Sequence, residues 1–306
     1  MRKYLTELGL NMCAGNRMLV QQDFLNSTSQ LQFNPHIYII GKRPRISVDP
    51  KSIKIDGGKI YIDYLKQIGD QKIRIPTIGI NQLGTNNISV ASEYPYTELK
   101  ITDNDTSEVF HQKAALQLMN FGHTMVQHLN LEVLYIGQSF GSDGSRNALD
   151  RLKNHSTLQN IYAEAIKRSP DQEVWMLLCD FNEIMLTSFD GRSKTYATTM
   201  DEDKKHFLNV MENPISEQHK INFTEAALIK YFQPEYNKTF KDSFPNPAHS
   251  TYSECYDIDL NMICVELNTE DLYLQLWNNH VNPKYLHYAN FPLHSREDRK
   301  YMFEIT

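Results

Sequence analysis

Leu134–His155, LYIGQSFGSDGSRNALDRLKNH, is the stretch whose reading decides how the centre of this chain is organised. Its apolar start has the form of a strand that ends in Tyr135-Ile136-Gly137. A Gly/Ser loop follows, and then a basic segment with helical character. Arg151 and His155 stand four residues apart, so a helix puts both on one face, with Lys153 between them. A glycine at the end of a strand either forms a turn or lets another group approach the backbone closely. The stretch is therefore half of a site or simply a strand–loop–helix connection, and the flanking sequence must separate the two.

Downstream, EVWMLLCDF (173–181) has the unbroken apolar run of a buried strand. DEDKKHFLNVMEN (201–213) reads as a helix with an acidic start. TEAALIKYF (224–232) reads as another, capped by Thr224 and stopped before Pro234. This puts Glu225 in a first helical turn, where the macrodipole favours an ionised carboxylate. Ser156 and Gln159 have the spacing of a capping box for a helix over 156–169. Upstream, short Ile-, Val- and Tyr-rich segments between His36 and Ile101 predict a small, mostly antiparallel β module, with hairpin chemistry at IDGGKI (55–60). A short helix is expected near Arg2–Leu8 and a longer one, loosened by Gly122, over 109–129. YDIDLNMICVEL (256–267) and LYLQLW (272–277) suggest a hairpin joined by NTED, with further strands in KYLHYANF and RKYMFEI. Three segments result: a β-rich module over 1–107, an α/β domain over 108–242 and a β-rich extension over 243–306.

The ordered set YIG, RLKNH, an intervening strand and EAALIKYFQPEYN resembles the GIY-YIG nuclease superfamily over roughly residues 131–240. The resemblance implies a central small antiparallel sheet with flanking helices; with the β-rich regions read on either side, the fold class expected is α+β. It implies a metal-dependent endonuclease that hydrolyses phosphodiester bonds of DNA, in restriction, antiviral defence or repair. Tyr135, Arg151, His155 and Glu225 match the catalytic positions, and Glu225 is the ligand for one Mg²⁺ or Mn²⁺ ion. Gly137, Lys153 and Asn237 are assigned to substrate binding or support. The family's first strand, Gly-Ile-Tyr, normally lies a short interval before the second, but GHTMVQHLNLEV (122–133) contains no tyrosine. Tyr61, Tyr64, Tyr94 and Tyr96 are the substitutes considered. If the motif is missing, the alternative is a catalytically degenerate module acting as a binding or assembly subunit. Its partner would be a protein or a second copy of the chain, held through the β-rich flanks.

The chemistry fits these residue types. Phosphodiester hydrolysis needs an in-line water and neutralisation of phosphate charge. A guanidinium matches phosphate oxygens bidentately and stays charged at any working pH. A lone carboxylate suits Mg²⁺, which keeps most of its waters. His155 is placed to contact phosphate or move a proton. Each position also has a structural reading: Glu225 as a helix-terminus carboxylate, Arg151 paired with a neighbouring acid, His155 as a polar helix end, Tyr135 as a buried hydrogen-bonded phenol, and Gly137 and Asn237 as turn residues.

The net charge of −6 gives no general basic surface for nucleic acid. The four cysteines, 13, 179, 255 and 264, lack the close spacing of a zinc knuckle and read as reduced thiols. No window reaches the roughly 18 apolar residues of a membrane span. A soluble cytoplasmic protein with no membrane association is expected.

Overall fold

In the computed structural model, residues 1–25, 31–81, 87–139, 148–153, 156–189, 191 and 195–304 are described, with side chains left aside at 148–150 and 166. Strand β1 (Glu7–Val20) is followed by a short helix α1 (Gln22–Leu25) and β2 (Ile37–Pro44). In β2 the residues alternate between two apolar environments. Ile37 and Ile39 enter one core, Tyr38 and Ile40 the other. A strand covered on both faces reads as a continuous apolar run, which is why HIYII has no polar side.

The chain then builds small antiparallel sheets. β3 (Ile46–Val48), β4 (Lys54–Asp56), β5 (Lys59–Ile68) and β6 (Gln71–Ile80) form the first. Gly57 and Gly58 turn from β4 to β5 with φ of 58° and 76°, the left-handed pair that a two-residue hairpin requires. β7 (Ile88–Ala91), β8 (Glu98–Asp103) and β9 (Val109–Lys113) form the second, and helix α2 (Ala114–Met119) follows. The helix expected over 109–129 is thus shorter: its first residues pair with β8, and Gly122, at φ 67°, separates α2 from two 3₁₀ turns.

After this excursion come β10 (Leu131–Gln138), α3 (Ala148–Lys153), α4 (Ser156–Arg168) and β11 (Gln172–Ser188). Then α5 (Met200–Glu212) begins in a capping box between Thr199 and Glu202, followed by α6 (Glu217–Phe232) and α7 (Glu254–Asp257). The last strands are β12 (Met262–Asn268), β13 (Leu276–Trp277) and β14 (Leu286–Pro292).

The main sheet has seven strands in the order β13-β10-β2-β11-β1-β12-β14. It is mixed: β1 runs parallel to β12 and β10 to β13, while the other neighbours are antiparallel. This overturns the small central antiparallel sheet with flanking helices. The physical reason is that β1 and β2 are buried along much of their length, so their backbone N–H and C=O groups need strand partners on both edges, which places them in the middle of the sheet beside β11. Strands from all three sequence segments therefore enter one sheet. The helix expected near Arg2–Leu8 is lost for the same reason, since Glu7 onward pairs with β11. β12 and β13 do not form a hairpin with each other. β12 lies between β1 and β14, and β13 lies on β10 at the far edge.

Two arrangements position the site. First, β2 and β10 are paired neighbours although residues 45–130 lie between them in sequence. Second, α6 starts two turns earlier than Thr224, which is buried mid-helix with its hydroxyl donating to the Lys220 carbonyl at 2.7 Å. Glu225 is consequently an interior helical residue, and the first-turn macrodipole does not act on it. Gln233 closes α6 in the left-handed conformation at φ 53°, just before Pro234. Among the described residues no helix is long and apolar enough to cross a membrane.

Candidate functional site

The β2–β10 register sets Tyr38 opposite Gly137. A bulge between Val133 and Tyr135 breaks the alternation, so Leu134 and Tyr135 both face the core that holds Tyr38. The Tyr38 and Tyr135 rings stack with centroids 6.2 Å apart and planes 30° apart. They cross over Gly137. A Cβ there would lie 2.5 Å from the ring carbon and the hydroxyl of Tyr38, and 2.8 Å from Tyr135 Cε1. The glycine is required by the two phenols, and the turn reading is not needed.

Asn237 completes the edge of β10. β13 pairs with β10 only at Leu131 and Glu132, which leaves the polar groups of the next residues open on that side. The chain after α6 fills the gap: Tyr236 N–H donates to the Leu134 carbonyl at 3.1 Å. The Asn237 side-chain oxygen accepts from Ile136 N–H at 2.9 Å, and its amide nitrogen donates to the Ile136 carbonyl at 2.7 Å. A buried carboxamide thus imitates the next strand and fixes the residue between Tyr135 and Gly137.

From α6, Glu225 reaches the end of β10, where its half-buried carboxylate accepts from the Gln138 backbone N–H. Burial pushes the carboxyl up to about 7; the positive charge of Arg151 and the Gln138 hydrogen bond oppose this without cancelling it. Burial also raises the Tyr38 hydroxyl, with Tyr135 adding to the rise and the charge and hydrogen bond of Arg151 opposing it. Tyr135 is raised by burial and by Glu225, while Arg151 and a hydrogen bond with Tyr38 pull the other way. Four side chains from four elements, Tyr38, Tyr135, Arg151 and Glu225, therefore sense one another directly.

Gln138 links this cluster to α6. Its amide donates to Asn222 Oδ1 at 3.3 Å; Asn222 also accepts from Gln218 at 2.9 Å and donates to the Thr251 carbonyl at 2.7 Å. Among the described residues the Gln138 side-chain oxygen is buried with no hydrogen-bond partner. A carboxyl held at a raised pKa beside a guanidinium fits a hydrated Mg²⁺, whose positive charge would ionise Glu225. Among the described residues no group of three or more His, Cys, Asp or Glu gathers to hold a metal ion.

The structure brings together Tyr135, Gly137, Arg151, Glu225 and Asn237. Lys153 is exposed on α3, and among the described residues nothing ties it to the cluster. His155 and the FGSDGS loop lie outside the described residues. The sequence reading missed Tyr38. Tyr61 and Tyr64 belong instead to β5, and Tyr94 and Tyr96 to the turn before β8. The signal for Tyr38 was present: His36-Ile37-Tyr38 matches Gly-Ile-Tyr at its last two positions. The expected short interval hid it, because residues 45–130 separate two strands that pair.

What the cluster offers is a fixed cation at the end of a strand pair, two neutral phenols and a carboxylate whose charge awaits a counter-ion. No protein-family model matches the chain, and no curated protein or solved structure is significantly similar to it.

Proposed function

We propose that the chain is a metal-dependent endonuclease that hydrolyses phosphodiester bonds of DNA by GIY-YIG-type chemistry. The observation that carries this reading is the convergence of Tyr38, Tyr135, Arg151 and Glu225 at the paired ends of β2 and β10. Arg151 neutralises the scissile phosphate. Tyr38 and Tyr135, kept protonated by burial, donate to phosphate oxygens and orient the attacking water. Glu225 would hold hydrated Mg²⁺ or Mn²⁺, which would supply charge stabilisation for the leaving oxygen. The four cysteines are free thiols, which agrees with a reducing compartment such as the cytoplasm.

The test is Mg²⁺- or Mn²⁺-dependent nicking of supercoiled plasmid by the purified chain. Wild type should nick, and Glu225→Gln should not. Equal nicking by both, or none by wild type on any DNA offered, removes the proposal.

A further inference from the structure

Helix α5 presents two different faces. Asp203, His206 and Val210 form its buried one. A second set, Met200, Phe207, Leu208 and Met211, is between 37% and 62% exposed. These four fall within about 100° of one another around the helix, with Lys204 among them. An apolar stripe on a helix that already buries another face marks an interaction surface. Beside the stripe, a groove of about 210 Å³ opens between α5, β1 and β11. It is lined among others by Leu10, Met185, Val210, Met211, Pro214 and Ile215. Glu183 at this groove is neutralised by Lys220 at 2.6 Å, so what the groove accepts is an apolar side chain. Lys204 and Glu212 are both exposed. They stand eight residues apart, about 12 Å along the axis, too far to pair with each other in one helix.

We infer that α5 is the contact between two copies of this chain, packed antiparallel about a two-fold axis at Leu208. A second copy is selected over other occupants because one register satisfies every feature of the surface. Leu208 meets its own counterpart at the axis, with Phe207 and Met211 beside it. Lys204 and Glu212, each four residues from Leu208, come opposite one another across the contact, once on either side of the axis. Met200, eight residues before Leu208, reaches the far end of the other copy's α5, where Pro214 and Ile215 line the groove, and fills it. A two-fold contact needs a surface that complements itself, and here knob, groove and opposite charges share one surface. The charges set the register more than they add affinity. A single helix pair is a small contact, which fits a weak, reversible dimer. The pairing owes nothing to the cleavage chemistry and stands or falls separately from it.

The experiment is sedimentation equilibrium of the full-length protein at concentrations up to the order of 100 µM. The mass should rise with concentration from that of one chain towards that of two. Leu208→Glu sets two carboxylates against each other at the axis and should leave the protein monomeric. Lys204→Glu or Glu212→Lys alone should weaken association about tenfold, and the double reversal should restore it. All three positions are exposed, so each variant should unfold at the wild-type denaturant midpoint. A wild type that stays monomeric throughout overturns the inference. So does a dimer that Leu208→Glu leaves intact, or one whose loss in the single charge variants is not recovered by the double reversal.

Discussion

Two groups of buried or half-buried charge lie at different places in this molecule, and they are built on opposite rules. One joins the N-terminal residues to the C-terminal segment. Glu7, 0% exposed, accepts from Arg299 Nε at 2.9 Å, from Asn261 at 3.0 Å and from the backbone N–H groups of Lys3 and Tyr4. Arg299 also donates to Asp259 at 2.8 Å, and Asp259 receives Lys3 Nζ and the Tyr4 hydroxyl as well. Burial pushes both carboxyls up, yet Arg299 and the other donors more than offset it and hold Glu7 and Asp259 below their ordinary range. The other group is the site. There, among the described residues, Glu225 has the Gln138 backbone donor and the field of an exposed arginine, and burial pushes its carboxyl up to about 7. A structural cluster satisfies its charges within the protein. At the site the Glu225 carboxyl gains too little from its neighbours to offset burial and stays above its ordinary range.

The largest effect should come from breaking the satisfied cluster. Arg299→Met leaves Glu7 buried without its cation and should cost about 3–5 kcal/mol of stability, read by denaturant unfolding at pH 7. A change below about 1 kcal/mol would mean that Glu7 is not held as described. Asn237→Ala comes next, because it strips both partners from the Ile136 backbone. It should cost roughly 2 kcal/mol and lower any cleavage activity, since Ile136 lies between Tyr135 and Gly137. Wild-type stability in this variant would show that water replaces the carboxamide.

The pH dependences have opposite signs. Glu7 has a lowered folded pKa, so it contributes stability above its ordinary value of 4.5 that is lost as pH falls. Glu225 has a raised one. The folded state keeps its proton between about 4.5 and 7, so stability falls as pH rises through that window. Glu225→Gln should therefore stabilise the metal-free protein by roughly 2 kcal/mol at pH 8 and leave it unchanged at pH 4. Equal effects at both pH values would separate the cost from ionisation. Mg²⁺ should reduce the wild-type penalty at pH 8, because the cation binds only the ionised form. Gly137→Ala should cost about 1–3 kcal/mol, because the new methyl meets the buried Tyr38 ring. Its signature is a loss of cleavage out of proportion to that change.

The contrast also explains what could be read from sequence. Tyr135, Gly137, Arg151, Glu225 and Asn237 were legible because they lie in one ordered stretch, and the structure draws all five together. Lys153 followed only from its position beside Arg151 and stays apart. Tyr38 was hidden by distance, since a local interval cannot reveal that residues 45–130 loop out between adjacent strands. The first-turn placement of Glu225 failed on a boundary: Thr224 has the look of a cap, but Ile221 and Phe223 are buried and carry the helix back to Glu217. The hairpin at Gly57-Gly58 was legible from turn chemistry alone. The large sheet was not, because β1, β2 and β12 are central strands whose partners lie far away in sequence.

The most direct test of the central claim is the Mg²⁺-dependent nicking rate of Tyr38→Phe on supercoiled plasmid, beside wild type and Tyr61→Phe. If Tyr38 belongs to the site, its hydroxyl deletion lowers the rate about 10²-fold or more with the fold retained, while Tyr61→Phe nicks like wild type. Wild-type nicking by Tyr38→Phe would contradict the account.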